Sequence, residues 1–464
     1  MGLMAQTASS AGVKDPNFVF ILSDDQGWPG TSASMDPGGA AKSDYFRTPS
    51  LERVAAEGMR FSQGYAPAAL CCPTRRSLQF GQTPARQGEL SFAARHPVDN
   101  NRLSIPRMLK SVNPRYAAAH FGKWDLRSEL VPEHLGYDES DGNTGNKTGN
   151  AGSLFDKKQK WELHKELEDP KRIFSLTDRA NDFMERQAGA ERPFYLQISH
   201  YAVHVDMQTR AETLRKWEER DKGKVHRIPA FAGMTEDLDT GIGKVLDKLE
   251  ELGIADSTYV FYMADNGAVP WIPPDRVKHL ADPTTLEDVS RNHPLRSGKW
   301  TLFEGGIRVP FMVRGPGIAP GSFCDVPVAG WDILPTVAQL AGYDSTLPED
   351  LDGGSMAGLL QHDGSGTVKR PFEGFVFHRY TSGYPHSAIR LGDYKLVKFW
   401  KAPFRLGKDK AITLSEPKEL LLFNIKEDAG ERRDLADSMP EKVRELDDAL
   451  MAYLRSVDAE FLGG

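Results

Sequence analysis

The chain has 464 residues, 39% hydrophobic and 27% charged, with 43 glycines, 30 prolines and a formal net charge of −7. This composition excludes a collagen-like fibre and a disordered acidic tail, and no stretch approaches the roughly 18 consecutive apolar residues of a spanning helix, so no membrane partner is expected. The mildly acidic balance offers nothing to nucleic acid, and three cysteines, Cys71, Cys72 and Cys324, two of them adjacent, exclude a disulfide framework.

In chain order, the opening MGLMAQTASSAGVKDP has neither the basic nor the apolar region of a signal peptide, and residues 1–15 read as a disordered lead-in. Apolar runs bounded by turn residues then alternate with helical-period segments. Strands are predicted at Phe18–Ser23, Tyr116–Phe121, Phe194–Ser199, Thr258–Met263 and Val309–Arg314. Amphipathic helices are predicted at Pro49–Met59, Leu176–Gln187 and Thr235–Leu252, the last stopped by Gly253. That order implies an α/β fold with a large, doubly wound, mostly parallel sheet flanked by helices, whose ligands bind beyond the carboxyl ends of the strands. Two polar, Gly-rich insertions, Glu139–Asp156 and Pro270–Pro294, exceed ordinary loop lengths and read as active-site walls or mobile segments. Around Leu351–Arg370 the composition shifts to Asp, Gly and Ser, which divides the chain into a domain over 16–365 and a C-terminal region over 366–464. In the latter, two strand-like runs, Ser387–Lys398 and Glu419–Ile425, and a charged helix near Met439–Ser456 predict a small antiparallel sheet capped by one helix.

Asp24-Asp25 follow the first strand in FVFILSDDQG, and Asp265-Asn266 follow a later one in YVFYMADNG. Four oxygen donors at two strand ends suit a hard cation, Ca²⁺ before Mg²⁺, rather than zinc; the alternative is that each pair caps a loop or helix start. In AALCCPTRRSLQFGQTPARQG, residues 68–88, Cys71 stands two before Pro73 and four before Arg75 at a predicted helix start. A thiol there, beside Arg75 and Arg76, would have a lowered pKa and bind anions; the alternative is a buried cysteine pair followed by a proline in the first turn. Asn146-Lys147-Thr148 matches a glycosylation sequon and reads as a chance match in a Gly/Asn-rich loop.

With these blocks in order, the sequence resembles the sulfatase family, within the alkaline-phosphatase-like fold. The family's C-x-P-x-R signature reads Cys71-Cys72-Pro73-Thr74-Arg75, and SDDQG at 23–27, FGKW at 121–124, HYAVH at 200–204, ADNG at 264–267 and LRSGKWTLFEGGIRVPFMVRGPG at 295–317 agree with it. In the C-terminal region, IRLGDYKLV at 389–397 and LLLFNIKEDAGERRDLAD at 420–437 resemble the family's closing elements. The resemblance implies that a maturation enzyme oxidises Cys71 to formylglycine, whose hydrated aldehyde is the nucleophile of a sulfuric ester hydrolase. It implies that Asp24, Asp25, Asp265 and Asn266 bind calcium, and that Arg75 and Lys123 hold the formylglycine. His204 and Lys299 would contact the sulfate and assist the leaving oxygen. Export to the periplasm or outside the cell is likewise implied by the family alone.

One departure stands out: the family's G-K-W-H reads Gly122-Lys123-Trp124-Asp125 here. Asp125 is a weaker base than histidine unless its pKa is raised, so it reads as a substitute base, a charge-tuning change or a mark of reduced activity. His120 points to the other side of its strand and is not expected to replace it. Specificity is expected from the rim. There Arg86, Arg95, His96, Arg291 and His293, with His200, His378 and Arg379, suit a sulfated polysaccharide or its oligosaccharides. His378, Arg379, Tyr380 and His386 read equally well as domain-interface residues. Two other readings stay open: a phosphonate monoester or phosphodiester hydrolase sharing the C-x-P-x-R signal, and a degenerate member that binds sulfated glycans without turnover.

Overall fold

The computed structural model describes residues 13–88, 101–150, 164–270, 290–380, 385–401 and 418–461. Their main sheet has eight strands, in the spatial order Ser322–Cys324, Gly58–Phe61, Phe311–Arg314, Thr258–Ala264, Asn17–Ser23, Phe194–Ser199, Ala117–Gly122 and Glu139–Ser140. Phe311–Arg314 alone runs antiparallel to both its neighbours, and the pairings on either side of it are parallel.

The apolar strands are buried on both faces, and their two-residue period sorts them between two cores. Val19, Ile21, Leu196, Ile198, Val260 and Tyr262 face the helices Pro49–Glu57, Ile173–Gly189 and Pro229–Glu251. Phe18, Phe20, Leu22, Tyr195, Phe261 and Met263 face Cys71–Phe80, Ile105–Val112 and Ile333–Leu340. Each fully buried large side chain of this kind contributes about 1.5–3 kcal/mol. The doubly wound, mostly parallel sheet predicted from the sequence is therefore the fold.

Several boundaries differ from the sequence reading, the helix expected from Thr235 already beginning at Pro229, and two of the differences have a local cause. The helix expected to reach Met59 stops at Glu57, because Gly58 begins a strand where an added Cβ would stand 2.4 Å from the Val313 carbonyl. The single strand expected over Ser387–Lys398 is a hairpin of His386–Leu391 and Tyr394–Phe399, turning at Gly392-Asp393 with Gly392 left-handed at φ 60°.

Phe375–Arg379, this hairpin and Leu420–Asn424 form a four-stranded antiparallel sheet. One face carries Val376, Ile389, Leu396 and Leu422 against Leu446, Leu450 and Leu454 of the helix Pro440–Ser456. The other sets Phe377, Val397, Phe399 and Phe423 on Tyr65, Leu302, Phe303 and Trp331.

Candidate functional site

Four neighbouring parallel strands end side by side, and each is followed by polar or charged residues. Asn17–Ser23 leads into Asp24-Asp25, Thr258–Ala264 into Asp265-Asn266, Ala117–Gly122 into Lys123, and Phe194–Ser199 into the turn bearing His200 and His204. Two glycines permit the close approach. Gly122, left-handed at φ 100°, passes where a Cβ would stand 2.0 Å from the Ser199 carbonyl, and Gly267 where one would stand 1.8 Å from Gly305 O. The helix Cys71–Phe80 brings its first turn to the same place.

The charged groups close into pairs. Lys123 Nζ lies 2.5 Å from Asp24 Oδ2, Lys299 Nζ lies 2.6 and 2.7 Å from the two Asp25 oxygens, and Arg75 donates to Asp265 Oδ2 at 3.0 and 2.8 Å. Arg75 also donates to the Lys123 carbonyl at 2.5 Å, and His204 Nε2 stands 3.7 Å from Asp25 Oδ2. All ten residues expected to make the reacting centre, Cys71 and Asp125 included, are thus gathered at one end of the sheet, almost wholly buried except for part of His204.

Burial works to raise the Asp24 carboxyl, but Lys123, His204, Arg75 and Lys299 outweigh it and hold it well below the usual range. Burial, then the neighbouring Asp24, pushes Asp265 up to about 7. Burial also pushes the Cys71 thiol up to about 12, against Lys123 and Lys299. This reverses the lowered thiol expected from a helix N-terminus flanked by arginines, because the helix start lies inside the protein.

The oxygens fit a hard cation. Asp24 Oδ1 and Asn266 Oδ1 are buried without a hydrogen-bond partner, while Asn266 Nδ2 donates 2.7 Å to Asp25 Oδ1. Leaving buried oxygens unsatisfied costs about 1–3 kcal/mol each, so a cation offered to them would be welcome. Asp24, Asp25 and His204 also present ligand-capable atoms within 4.8 Å of one another, although an oxygen-rich set favours calcium or magnesium over an imidazole-seeking metal.

Asp125 is left-handed at φ 52°, lies 3.5 Å from Lys123 Nζ and accepts from Arg127 Nε at 2.6 Å. Burial works to raise its carboxyl, yet Lys123 and Arg127 hold it below the ordinary value. Its two cationic partners make it a poorer proton acceptor than an unpaired carboxylate. Sequence reasoning missed Arg127; the available signal was a compensating charge two residues beyond the departure from the family pattern. His120 bonds Ser199 Oγ at 3.0 Å and packs edge-on against Trp124 and Tyr137, away from this role.

The described part of the 139–150 insertion is a wall. Asp141 Oδ2 accepts from Gly122 N at 2.8 Å, and Thr144 O accepts from Asp125 N at 2.8 Å. Between it and the 125–129 loop lies a cleft of about 650 Å³ lined by Asp125, Arg127, Ser128, Asn143, Asn146 and Lys147 among others.

The rim residues are mostly elsewhere. Arg86 donates 2.9 and 2.8 Å bonds to Asp352, which also accepts from Tyr453 OH of the C-terminal helix. His378 is buried between Ser387 Oγ and the Glu460 carbonyl, and Arg379 donates 2.7 Å to the Trp300 carbonyl. Arg86 was expected to face substrate and instead pairs within the protein, whereas His378 and Arg379 take the interface contacts that were the alternative reading for them. His200 is buried with neither ring nitrogen hydrogen-bonded, His293 is exposed, and Arg291 stacks its guanidinium 4.4 Å above Phe231. Arg95 and His96 lie outside the described residues, as does most of the Pro270–Pro294 insertion.

Two buried histidines outside the cluster set an acid limit. Burial pushes His120 down to about 3 and His378 down to about 4, so both stay neutral in the fold while the unfolded chain takes up protons below about 6.5. Their stability contribution is complete above pH 6.5 and lost as pH falls, at about 1.4 kcal/mol per pH unit for each histidine. His378→Gln should make the thermal midpoint depend less on pH between 7 and 5 than it does in the parent, by one histidine's share; identical pH profiles in the two proteins would contradict the assignment.

Comparison with known proteins agrees with this geometry. The family model described as Sulfatase matches residues 16–343, and one described as N-sulphoglucosamine sulphohydrolase, C-terminal, matches residues 297–449. The chain is 27% identical to N-acetylgalactosamine-6-sulfatase of Canis lupus familiaris, over 94% of this chain and 84% of that protein. It is 28% identical to human arylsulfatase A, over 96% and 89% of the two chains. A solved sulfatase structure from a study of glycosaminoglycan metabolism by Bacteroides thetaiotaomicron shares the fold, with a TM-score of 0.74 at 21% identity, covering 96% of this chain and 100% of that one. No helix among the described residues is long and apolar enough to cross a membrane. With the signature cysteine at the head of a buried helix, carboxylates at two strand ends paired with lysine and arginine, and a match across most of its length, the chain belongs to the sulfatase family and is a sulfatase.

Proposed function

We propose that this sulfatase hydrolyses sulfate esters of a carbohydrate, a polysaccharide or its oligosaccharides, using formylglycine made from Cys71 and a bound calcium ion. The observation that carries the reading is the convergence of Asp24 with Lys123, Asp25 with Lys299 and Asp265 with Arg75 around the Cys71 helix. Residues 16–365 would supply this chemistry, and residues 366–464 would complete the surroundings of the pocket.

The hydrated aldehyde would supply one hydroxyl to attack sulfur and a second to release sulfate as the aldehyde re-forms. Calcium, held by Asp24, Asp25, Asp265 and Asn266, would polarise the S–O bonds. Arg75 and Lys123 keep fixed positive charge beside position 71, where negative charge develops. Lys299 and His204, both beside Asp25, bind the sulfate and assist the leaving oxygen. Asp125, held ionised, tunes the charge on Lys123 and orients Arg127 at the head of the cleft. Because Cys71 is 1% exposed and its thiol is pushed up to about 12, the maturation enzyme must reach it before the chain folds.

The cleft is where the sugar would lie, and Arg127 and Lys147 there suit a second anionic group on a glycan. Arg127→Ala should raise the KM for a multiply sulfated oligosaccharide by about 10-fold or more, and that for a monosulfated one by less, as the loss of a charged hydrogen bond predicts. Equal changes on both would remove the cleft from substrate recognition. The function itself is tested by sulfate release from a sulfated-glycan panel, alongside 4-nitrophenyl sulfate and bis(4-nitrophenyl) phosphate. Release from glycans supports it; preference for the phosphodiester, or tight glycan binding by matured protein without release, overturns it.

A further inference from the structure

Lys299 sits in a strained loop. Ser297 and Trp300 on either side of it are left-handed at φ 62° and 77°, a region that residues bearing a Cβ avoid. A backbone held there needs surroundings that over-determine it. Neighbouring loops supply part of this: Lys299 N donates 3.0 Å to Ala268 O, Trp300 N donates 2.9 Å to Ala69 O, and the Ser297 carbonyl accepts from Ser290 Oγ at 2.8 Å and Asn292 Nδ2 at 3.0 Å.

Further ties come from the C-terminal sheet and its flank. Arg379 Nη1 donates 2.7 Å to the Trp300 carbonyl, and His386 Nε2 accepts from Leu302 N at 3.0 Å. Glu431 Oε2 accepts from Glu304 N at 2.7 Å, and its carbonyl accepts from Arg296 Nη1 at 3.1 Å. Lys395, fully buried, lies 2.9 Å from both Glu304 Oε1 and Glu431 Oε1. Phe303 fills the space between Phe399 and Phe423. The loop that carries Lys299 is therefore gripped at positions 296, 300, 302, 303 and 304 by a sheet that contributes no group to the carboxylate cluster.

We propose that the C-terminal sheet positions Lys299 for the reaction, with Arg379 as the positioning residue nearest to it and Glu304, Lys395 and Glu431 as the buried anchor behind. Arg379 fixes the carbonyl of the left-handed Trp300, one peptide beyond the lysine, and so restrains the loop from which the lysine leaves the backbone. The sheet thus acts on the chemical step through the loop rather than by touching the ester. This rests on the role of Lys299 at the leaving oxygen given above.

The test uses full-length matured enzyme and aryl sulfates from 4-nitrophenyl sulfate, whose phenolate departs unaided, to phenyl sulfate, which needs more help. Losing assistance at the leaving oxygen lowers rates by up to about 10²–10⁴-fold, and mispositioning it by part of that range. Lys299→Ala should lose more kcat on phenyl than on 4-nitrophenyl sulfate. Arg379→Met should show the same selectivity with a smaller loss, about 10-fold on phenyl sulfate, with KM nearly unchanged and partial recovery in Arg379→Lys. Equal losses on both esters in Arg379→Met, or none, while Lys299→Ala remains selective, would overturn the positioning role alone. Equal losses in Lys299→Ala would overturn the role of Lys299 and the inference with it.

Discussion

Cys71→Ala is expected to abolish sulfate release from every ester, while Cys72→Ala retains it. The two thiols are adjacent and both buried, so burial does not separate them. What does is the Pro73 and Arg75 spacing, which only Cys71 meets, and the charges of Lys123, Lys299, Asp125 and Asp24, which all act on its thiol. Alanine at position 71 removes one sulfur from the first turn of Cys71–Phe80 and leaves the ion pairs around it in place, so the melting temperature should shift little. Loss of activity there is then a chemical effect. Activity retained in Cys71→Ala, or lost equally in both variants, would break the assignment of the nucleophile.

The second large effect is on the cation. Removing divalent metal with a chelator should abolish activity, and calcium should restore it and raise the thermal midpoint. An ion at 100 times its dissociation constant adds about 2.7 kcal/mol to folding stability. Asp24→Ala should lose both responses. In addition it strands Lys123, which is buried and pairs with Asp24 at 2.5 Å, and breaking a buried pair costs about 3–5 kcal/mol. Asp265→Asn separates the terms: it keeps the shape, weakens the hold on Arg75 and removes one anionic ligand, so its stability should respond less to calcium than that of the parent. A calcium-dependent midpoint in Asp24→Ala equal to that of the parent would mean that the ion binds elsewhere.

The parallel core was legible because strands such as Phe18–Ser23 and Thr258–Met263 are apolar on both faces and read as nearly uninterrupted runs. The polar residues at their ends were legible because a sheet of this kind exposes its ligand groups there. The hairpin at Gly392-Asp393 was missed because the apolar pattern continues through a two-residue turn whose only mark is the dipeptide. The Cys71 thiol went the wrong way for a different reason: helix-end and arginine effects are local and visible in sequence, whereas desolvation depends on what covers the helix. Arg86, His378 and Arg379 carry the groups of a carbohydrate site, and no local pattern distinguishes those from groups that bind two parts of one chain together. Arg379 bonds Trp300, 79 positions away, and Arg86 bonds Asp352, 266 positions away. Only the folded chain shows which partner each one takes, for Arg379 through the packing of the sheet on Leu302 and Phe303.

The central claim is that Cys71 becomes the nucleophile, and the mass of the proteolytic peptide that contains it tests this most directly, from protein made in its native host or with a maturation enzyme present. The account predicts the mass of the aldehyde at position 71, with Cys72 in the same peptide unchanged. Unmodified cysteine at both positions, in protein that nevertheless releases sulfate, would contradict it.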